Sequence, residues 1–181
     1  MRETLPQSYL DGADLLLSAQ DVDNAIAGMA TQIMVDIGDT KPLVLCVMGG
    51  GVVFTGQLLP QLNFPLEFDY VQASRYHNNT SGQHLVWKVM PSDNVKGRTV
   101  LVLDDILDEG HTLAAIREKC LTLGATRVVI AVLVEKTLDK SKPVKADYVG
   151  LQVPDRYVFG CGMDVYGWWR NLPAIYALKP D

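Results

Sequence analysis

The run Thr99-Val-Leu-Val-Leu-Asp-Asp-Ile-Leu-Asp-Glu-Gly-His-Thr112 limits the possible folds more than any other stretch of the chain. Its consecutive apolar residues Val100 to Leu103 predict a strand buried on both faces, because a strand with one wet face alternates apolar and polar side chains. Beyond them the chain turns acidic: Asp104, Asp105, Asp108 and Glu109 cluster around a lone glycine, Gly110. Leu113, Ile116, Cys120, Leu121 and Leu123 then recur at helical spacing, so the order reads strand, acidic loop, helix. In open α/β sheets that place, past the carboxyl end of a parallel strand and at a helix N-terminus, is where ligands bind and backbone N–H groups point at anions.

The rest of the chain repeats the pattern. Ser18-Ala-Gln-Asp21 predicts a capping box, and Val22, Ile26, Met29, Ile33 and Ile37 mark one face of a helix that ends near Gly38. Leu43 to Val47 predicts a second doubly buried strand, closed by Met48-Gly-Gly-Gly51 and followed by a helix carrying Val53, Phe54, Leu58, Leu59 and Leu62. Leu66 to Val71 alternates like a strand, Ser74 to Gln83 is a polar loop too long for a tight hairpin, and Leu85 to Val89 is the return strand. Gly124 caps the helix after the acidic loop, and Arg127 to Val134 predicts a third buried strand, so residues 99–134 form one βαβ unit. Lys136 to Lys145 reads as a charged loop and Asp147 to Leu151 as a short strand, with an aromatic, glycine-rich tail after it.

A chain of 181 residues fits one domain with a proper core. Cys46, Cys120 and Cys161 are odd in number and widely spaced, which fits small core residues in a reducing compartment rather than disulfides or metal ligands. No apolar run approaches a membrane span and no basic leader is evident, so a cytoplasmic protein is expected. The net charge of −5 argues against nucleic-acid and membrane surfaces as partners, but leaves room for a phosphorylated small molecule held by helix N-termini and Mg²⁺. His77, His84 and His111 show no metal-ligand spacing.

Taken alone, the acidic loop admits a solvated connection with Asp108 or Thr112 as N-cap, or an Asp pair holding Mg²⁺ around a phospho-accepting aspartate. A P-loop is excluded, because its Gly-x-x-x-x-Gly-Lys-Ser/Thr spacing is absent. The full pattern of apolar run, two acids, two apolar residues, Asp, a variable residue, Gly, a variable residue and Thr resembles the phosphoribosyl pyrophosphate signature of the type I phosphoribosyltransferases. Adjacent carboxylates suit the two ribose hydroxyls, and donors at the helix start suit the 5′-phosphate. The resemblance runs over about residues 15 to 178 and is closest to the bacterial hypoxanthine-guanine branch of that family. It implies a mainly parallel twisted sheet flanked by helices in a single domain, with a core of about 40–150 and a small hood from about 1–39 and 151–181.

The resemblance also implies roles. Asp104, Asp105, Asp108, Glu109, Gly110, His111 and Thr112 would hold the ribose and 5′-phosphate. Met48, Gly49, Gly50, Gly51 and Arg170 would hold pyrophosphate, although a lysine common in the family at the position of Gly49 is missing. In the family the peptide at Met48-Gly49 is often cis. Ser74, Arg75 and Tyr76 stand where these enzymes carry a mobile lid with a Ser-Tyr pair, Arg75 being an intrusion. Lys136 would donate to the purine 6-oxo group, Tyr157 would stack on the base, and the Val158 carbonyl would read its edge. Asp164, with Asp104 and Asp105, would meet Mg²⁺.

The activity so implied is purine salvage: transfer of 5-phosphoribosyl from phosphoribosyl pyrophosphate to N9 of hypoxanthine or guanine, giving IMP or GMP and pyrophosphate. Asp108 is the expected general base for the purine N7 proton, a transfer eased by burial of Asp108 or by acidification of the purine through Lys136, the second being the larger effect. A homodimer or homotetramer is expected. A xanthine-preferring relative and a non-catalytic ligand sensor on the same fold are the alternatives.

Overall fold

The structure is a computed structural model and describes residues 6–76 and 84–180. In chain order its elements are α1 (Pro6–Asp11), β1 (Ala13–Leu17), α2 (Ala19–Ile37), β2 (Leu43–Val47), α3 (Gly51–Leu58), β3 (Glu67–Tyr76) and β4 (His84–Val89). There follow β5 (Thr99–Leu107), α4 (His111–Thr122), β6 (Arg127–Lys136), β7 (Tyr148–Val153), β8 (Val158–Phe159) and β9 (Ile175–Leu178).

The large sheet has the order β4-β3-β2-β5-β6-β7, with β4 antiparallel to β3 and every other neighbour parallel. Its apolar runs are doubly buried because alternate residues serve different cores. Leu101 and Leu103 of β5 pack with Val22, Ile26, Ile33 and Phe54 from α2 and α3. Val100 and Val102 pack with Leu113, Ile116 and Cys120 of α4 on the other face. Leu121, read as part of that apolar stripe, is 46% exposed.

The expected capping box is formed: the Ser18 hydroxyl accepts from Asp21 N, and the Asp21 carboxylate accepts from Ser18 N at 2.8 Å. Gly38 ends α2 in the right-handed region, not the left-handed one a terminal glycine favours. The Phe64 ring lies 3.4 Å from where its Cβ would be, and the left-handed residue is Lys41, after a short 3₁₀ turn over Gly38–Thr40. Cys46, Cys120 and Cys161 are free and buried, as small core residues.

Several boundaries differ from the sequence reading. β5 continues to Leu107, so Asp104 and Asp105 are strand residues and not loop residues; Asp104 pairs with Val132 of β6, and that ladder outweighs the low strand preference of aspartate. β3 runs to Tyr76, because β4 supplies partners for Ser74, Arg75 and Tyr76, expected to open a loop. Residues 77–83, the remainder of that loop, lie outside the described residues. A second sheet, β1-β9-β8, is antiparallel and joins residues near both ends of the chain. Arg156 ties it together by donating to Asp14 at 2.6 Å and to the Leu178 carbonyl at 2.7 Å. Although α2 lies within the segment 1–39 expected to form a hood, its apolar face packs on the large sheet, beside β6 and β7. No helix among the described residues is long and apolar enough to cross a membrane.

The order of the strands places the site. From β2 the chain moves outward to β3 and β4, then returns to β5 on the other side of β2, so the connections diverge between β2 and β5. At such a switch point the two loops leave the carboxyl ends of neighbouring strands in opposite directions and open a crevice. Here those loops are Met48–Gly50 and Asp108–Gly110.

Candidate active site

The crevice holds a cleft of about 280 Å³ lined by Val47, Met48 and Gly50 on one side and by Asp108, Glu109, Gly110, His111 and Thr112 on the other. Asp104 and Asp105 form its floor and Arg170 reaches it from the C-terminal segment. The N-cap of α4 is Gly110, at φ 85°, with no side-chain cap. Neither Asp108 nor Thr112 caps the helix, because the left-handed turn belongs to glycine, whose missing Cβ would lie 3.2 Å from both Leu107 and Val144. The first-turn N–H groups are therefore not taken up by a capping side chain and face a ligand volume.

The glycines after β2 divide by role. A Cβ on Gly51 would sit 2.8 Å from the Leu103 carbonyl and one on Gly50 would collide with the Asp105 carboxylate, so both let α3 approach β5. At Gly49 nothing lies within 4 Å of the Cβ position. Two of the three glycines, Gly50 and Gly51, are thus required by the protein's own neighbouring strand, and Gly49 is not. The Met48–Gly49 peptide is cis.

Asp104 and Asp105 are 8% and 7% exposed. Asp105 N donates to Asp104 Oδ1 at 2.9 Å, so the two are locked side by side. Burial, and then the charge of Asp105, pushes the Asp104 carboxyl well above the usual carboxylate range. Burial also raises Asp105, against the hydrogen bond from Asp104 and the nearby Arg170 guanidinium. An acidic pair in this state is poised to take hydroxyl donors or a cation from a ligand.

A second cleft, also of about 280 Å³, shares Asp105, Ile106 and Asp108 with the first and adds Lys136, Tyr157, Val158, Met163 and Asp164. Lys136 Nζ lies 3.1 Å from Asp108 Oδ2 and 3.9 Å from Asp155 Oδ1, with its side chain only 12% exposed. Asp108 is 47% exposed, so its carboxylate is open to the cleft as well as paired. Tyr157 is 46% exposed and stacks on Tyr166 with ring centroids 5.7 Å apart. Val158 is buried in β8. Asp164 accepts from Gly167 N at 2.7 Å and pairs with Arg170 at 2.5 Å; Arg170 also donates to the Gly162 carbonyl at 2.5 Å.

Most sequence-predicted site residues therefore converge on two joined clefts. Gly49 and Gly51 flank the lining without forming it, and Ser74 lies next to Ala73, which does line it. The Ser74 Oγ is buried with no hydrogen-bond partner among the described residues. The side chains of Arg75 and Tyr76 lie outside the described residues. Asp155, Met163 and Tyr166 were missed, because a carboxylate after a proline and an aromatic at left-handed φ carry no periodic signal. Among the described residues no three His, Cys, Asp or Glu side chains form a metal cage. The donor set suits a cation bound through one or two carboxylates together with ligand oxygens, the habit of Mg²⁺.

A phosphoribosyl transferase domain matches residues 12–167. The chain is 33% identical to the hypoxanthine-guanine phosphoribosyltransferase of Bacillus subtilis over 92% of its length and 93% of that protein. It is 31% identical to the enzyme of the same name from Streptococcus thermophilus, with equal coverage. Among solved structures it is similar to a hypoxanthine phosphoribosyltransferase from Staphylococcus aureus, with a TM-score of 0.84, 29% identity, and 98% and 97% of the two chains covered. It is also similar to a hypoxanthine-guanine-xanthine phosphoribosyltransferase, with a TM-score of 0.78, 31% identity, and 93% and 96% covered. With an acidic pair, an uncapped helix start and a second cleft holding the Lys136–Asp108 pair set around one sheet switch point, the chain belongs to the phosphoribosyltransferase family, alongside the bacterial hypoxanthine-guanine enzymes.

Proposed function

We propose that the protein transfers the 5-phosphoribosyl group of phosphoribosyl pyrophosphate to N9 of hypoxanthine or guanine, giving IMP or GMP and pyrophosphate in a cytoplasmic purine salvage step. The observation that carries this reading is the pair of clefts sharing Asp105, Ile106 and Asp108, one with an uncapped helix start and Arg170 in its lining and the other with Lys136 and the exposed Tyr157 ring. In it Asp104 and Asp105 accept from the ribose hydroxyls, and N–H groups from Gly110 to Leu113, with the Thr112 hydroxyl, hold the 5′-phosphate. Glu109 and His111 flank that phosphate. Arg170 and the Met48–Gly51 loop hold the pyrophosphate.

In the second cleft Tyr157 stacks on the purine, the Val158 carbonyl accepts from its edge, and Lys136 donates to the 6-oxo group. The base enters between Lys136 and Asp108, each of which exchanges its partner for a purine atom. As the C1′–O bond to pyrophosphate breaks and N9–C1′ forms, Asp108 takes the proton from N7. Asp108 is half exposed, so its burial supplies little; Lys136 stabilises the negative charge that gathers on the 6-oxo group, which makes the proton easier to remove. Ser74 to Tyr76 begin a lid that excludes water during transfer.

Mg²⁺ is the proposed cofactor, held by Asp104, Asp105 and Asp164 with substrate oxygens, and when bound it balances the charge of the departing pyrophosphate. Assembly into a homodimer or homotetramer would cover Phe68, Tyr70, Val86 and Met90, which are exposed at 52%, 44%, 42% and 54%. A second reading, extending the substrates to xanthine, is favoured by the hypoxanthine-guanine-xanthine enzyme among the similar structures. Labelled phosphoribosyl pyrophosphate incubated with hypoxanthine, guanine, xanthine and adenine in parallel tests both. Nucleotide from the first two supports the main reading, and equal product from xanthine replaces it with the second.

A further inference from the structure

We infer that Lys142 is a positioning residue for the Asp108–Lys136 pair, an inference that rests on the proposed roles of those two residues. Lys142 lies in the loop between β6 and β7, outside both clefts, and its side chain is only 10% exposed. Its ammonium donates to the Leu107 carbonyl at 3.0 Å, to the Lys136 carbonyl at 2.6 Å and to Glu135 Oε1 at 3.2 Å. A lysine has three donors, and all three are engaged.

The acceptors give the arrangement its meaning. Leu107 and Glu135 are the last register pair of the β5–β6 ladder, so Lys142 clamps the two strands where the ladder stops. Leu107 immediately precedes Asp108, and Lys136 carries the ammonium that meets Asp108 at 3.1 Å. One buried cation thus fixes the backbone at both points from which the reacting pair projects. The Lys142 Cβ also lies 3.5 Å from where a Cβ on Gly110 would stand, so the loop that carries it passes close to the helix start. Lys140 makes a comparable pair with Glu109 at 2.5 Å, but it is 62% exposed and water competes for it. At Lys142, removal of the ammonium leaves two strand-end carbonyls and a carboxylate short of a donor in a place that water reaches poorly.

An error of about 1 Å in the placement of a reacting group costs up to about a hundredfold in rate. Lys142→Met keeps most of the stem and deletes the donors. It should lower kcat with guanine by about tenfold to a hundredfold while KM for phosphoribosyl pyrophosphate stays within about threefold. Lys142→Ala keeps the Cβ beside Gly110 and loses the donors with the rest of the stem, so its kcat should fall at least as far as that of Lys142→Met. Lys142→Arg should restore most of the kcat lost in Lys142→Met, with Lys142→Gln between them. A residue that only stabilises the fold would lower the thermal midpoint and leave kcat per folded molecule unchanged. Wild-type kcat, within about twofold, in both Lys142→Met and Lys142→Gln overturns the inference, and Lys142→Gln alone decides if Lys142→Met is not recovered folded. A wild-type enzyme that turns over no purine overturns the functional reading instead, so the two failures are told apart.

Discussion

Asp104→Asn should stabilise the ligand-free protein while disabling it. The two carboxyls of Asp104 and Asp105 are adjacent and nearly buried, and burial dominates the rise of both above the usual range. An asparagine keeps an oxygen where Asp105 N donates at 2.9 Å, so the local geometry survives while one like charge disappears. A poorly paired buried charge costs several kcal/mol, and a proton shared within the pair already offsets part of that, leaving a gain of about 2 kcal/mol. For a chain of this size that is about 4–8 °C in Tm.

The sign of the pH dependence is fixed. A carboxyl whose folded-state pKa is raised contributes stability that is complete below its unfolded value of about 3.9 and is lost as pH rises through the folded value. Wild-type Tm should therefore fall behind that of Asp104→Asn as pH climbs from about 4 toward neutrality, and the two should converge in acid. Thermal unfolding followed by circular dichroism, with a chelator and no substrate, reads this directly, and the same variant should lose most of its transferase activity. A variant less stable than wild type near neutral pH, or a difference that ignores pH, refutes the reasoning.

Asp108→Asn should lower kcat by about a hundredfold or more with a much smaller change in KM; an unchanged kcat in steady-state kinetics removes Asp108 from proton transfer. Gly51→Ala places a methyl 2.8 Å from the Leu103 carbonyl and 3.2 Å from Asp104 Cα. It should cost about 1–3 kcal/mol in chemical denaturation, whereas Gly49→Ala, in open space, should be near neutral. Asp36 accepts hydrogen bonds from the Tyr148 hydroxyl and Arg127, which hold its carboxyl below the usual range. That contribution is present above the unfolded value and lost as pH falls through the lowered one, so Asp36→Asn should cost about 1 kcal/mol or less at neutral pH and nothing in strong acid.

The large sheet was legible because Leu43–Val47, Val100–Leu103 and Val128–Val134 are apolar without alternation, and only strands covered on both faces tolerate that. The start of α4 just past Gly110 was legible from that glycine and the helical spacing of Leu113, Ile116 and Cys120, but its lack of a cap was not, since Asp108 and Thr112 both offered cap side chains. The carboxyl ends of the strands were not. Asp104, Asp105 and Lys136 read as loop residues from their polarity, yet the β5–β6 ladder carries the backbone on to Leu107 and Glu135, and Lys136 pairs with Val153 of β7. The small sheet escaped for a different reason: Asp14 pairs with Ala177, and a partner so distant in the chain leaves no local pattern. Lys142 was one lysine in a charged loop until three acceptors converged on it.

On the proposed function, the second cleft selects a 6-oxopurine, with Lys136 at its carbonyl and Asp108 at its imidazole proton. The ratio of kcat/KM for hypoxanthine to that for adenine, measured with saturating phosphoribosyl pyrophosphate and Mg²⁺, tests it most directly. Adenine replaces the 6-oxo acceptor by an amino donor facing a lysine, and a buried site that loses such a hydrogen bond discriminates by about 10⁴. A ratio of about 10³ or more in favour of hypoxanthine is expected. A ratio near unity contradicts it.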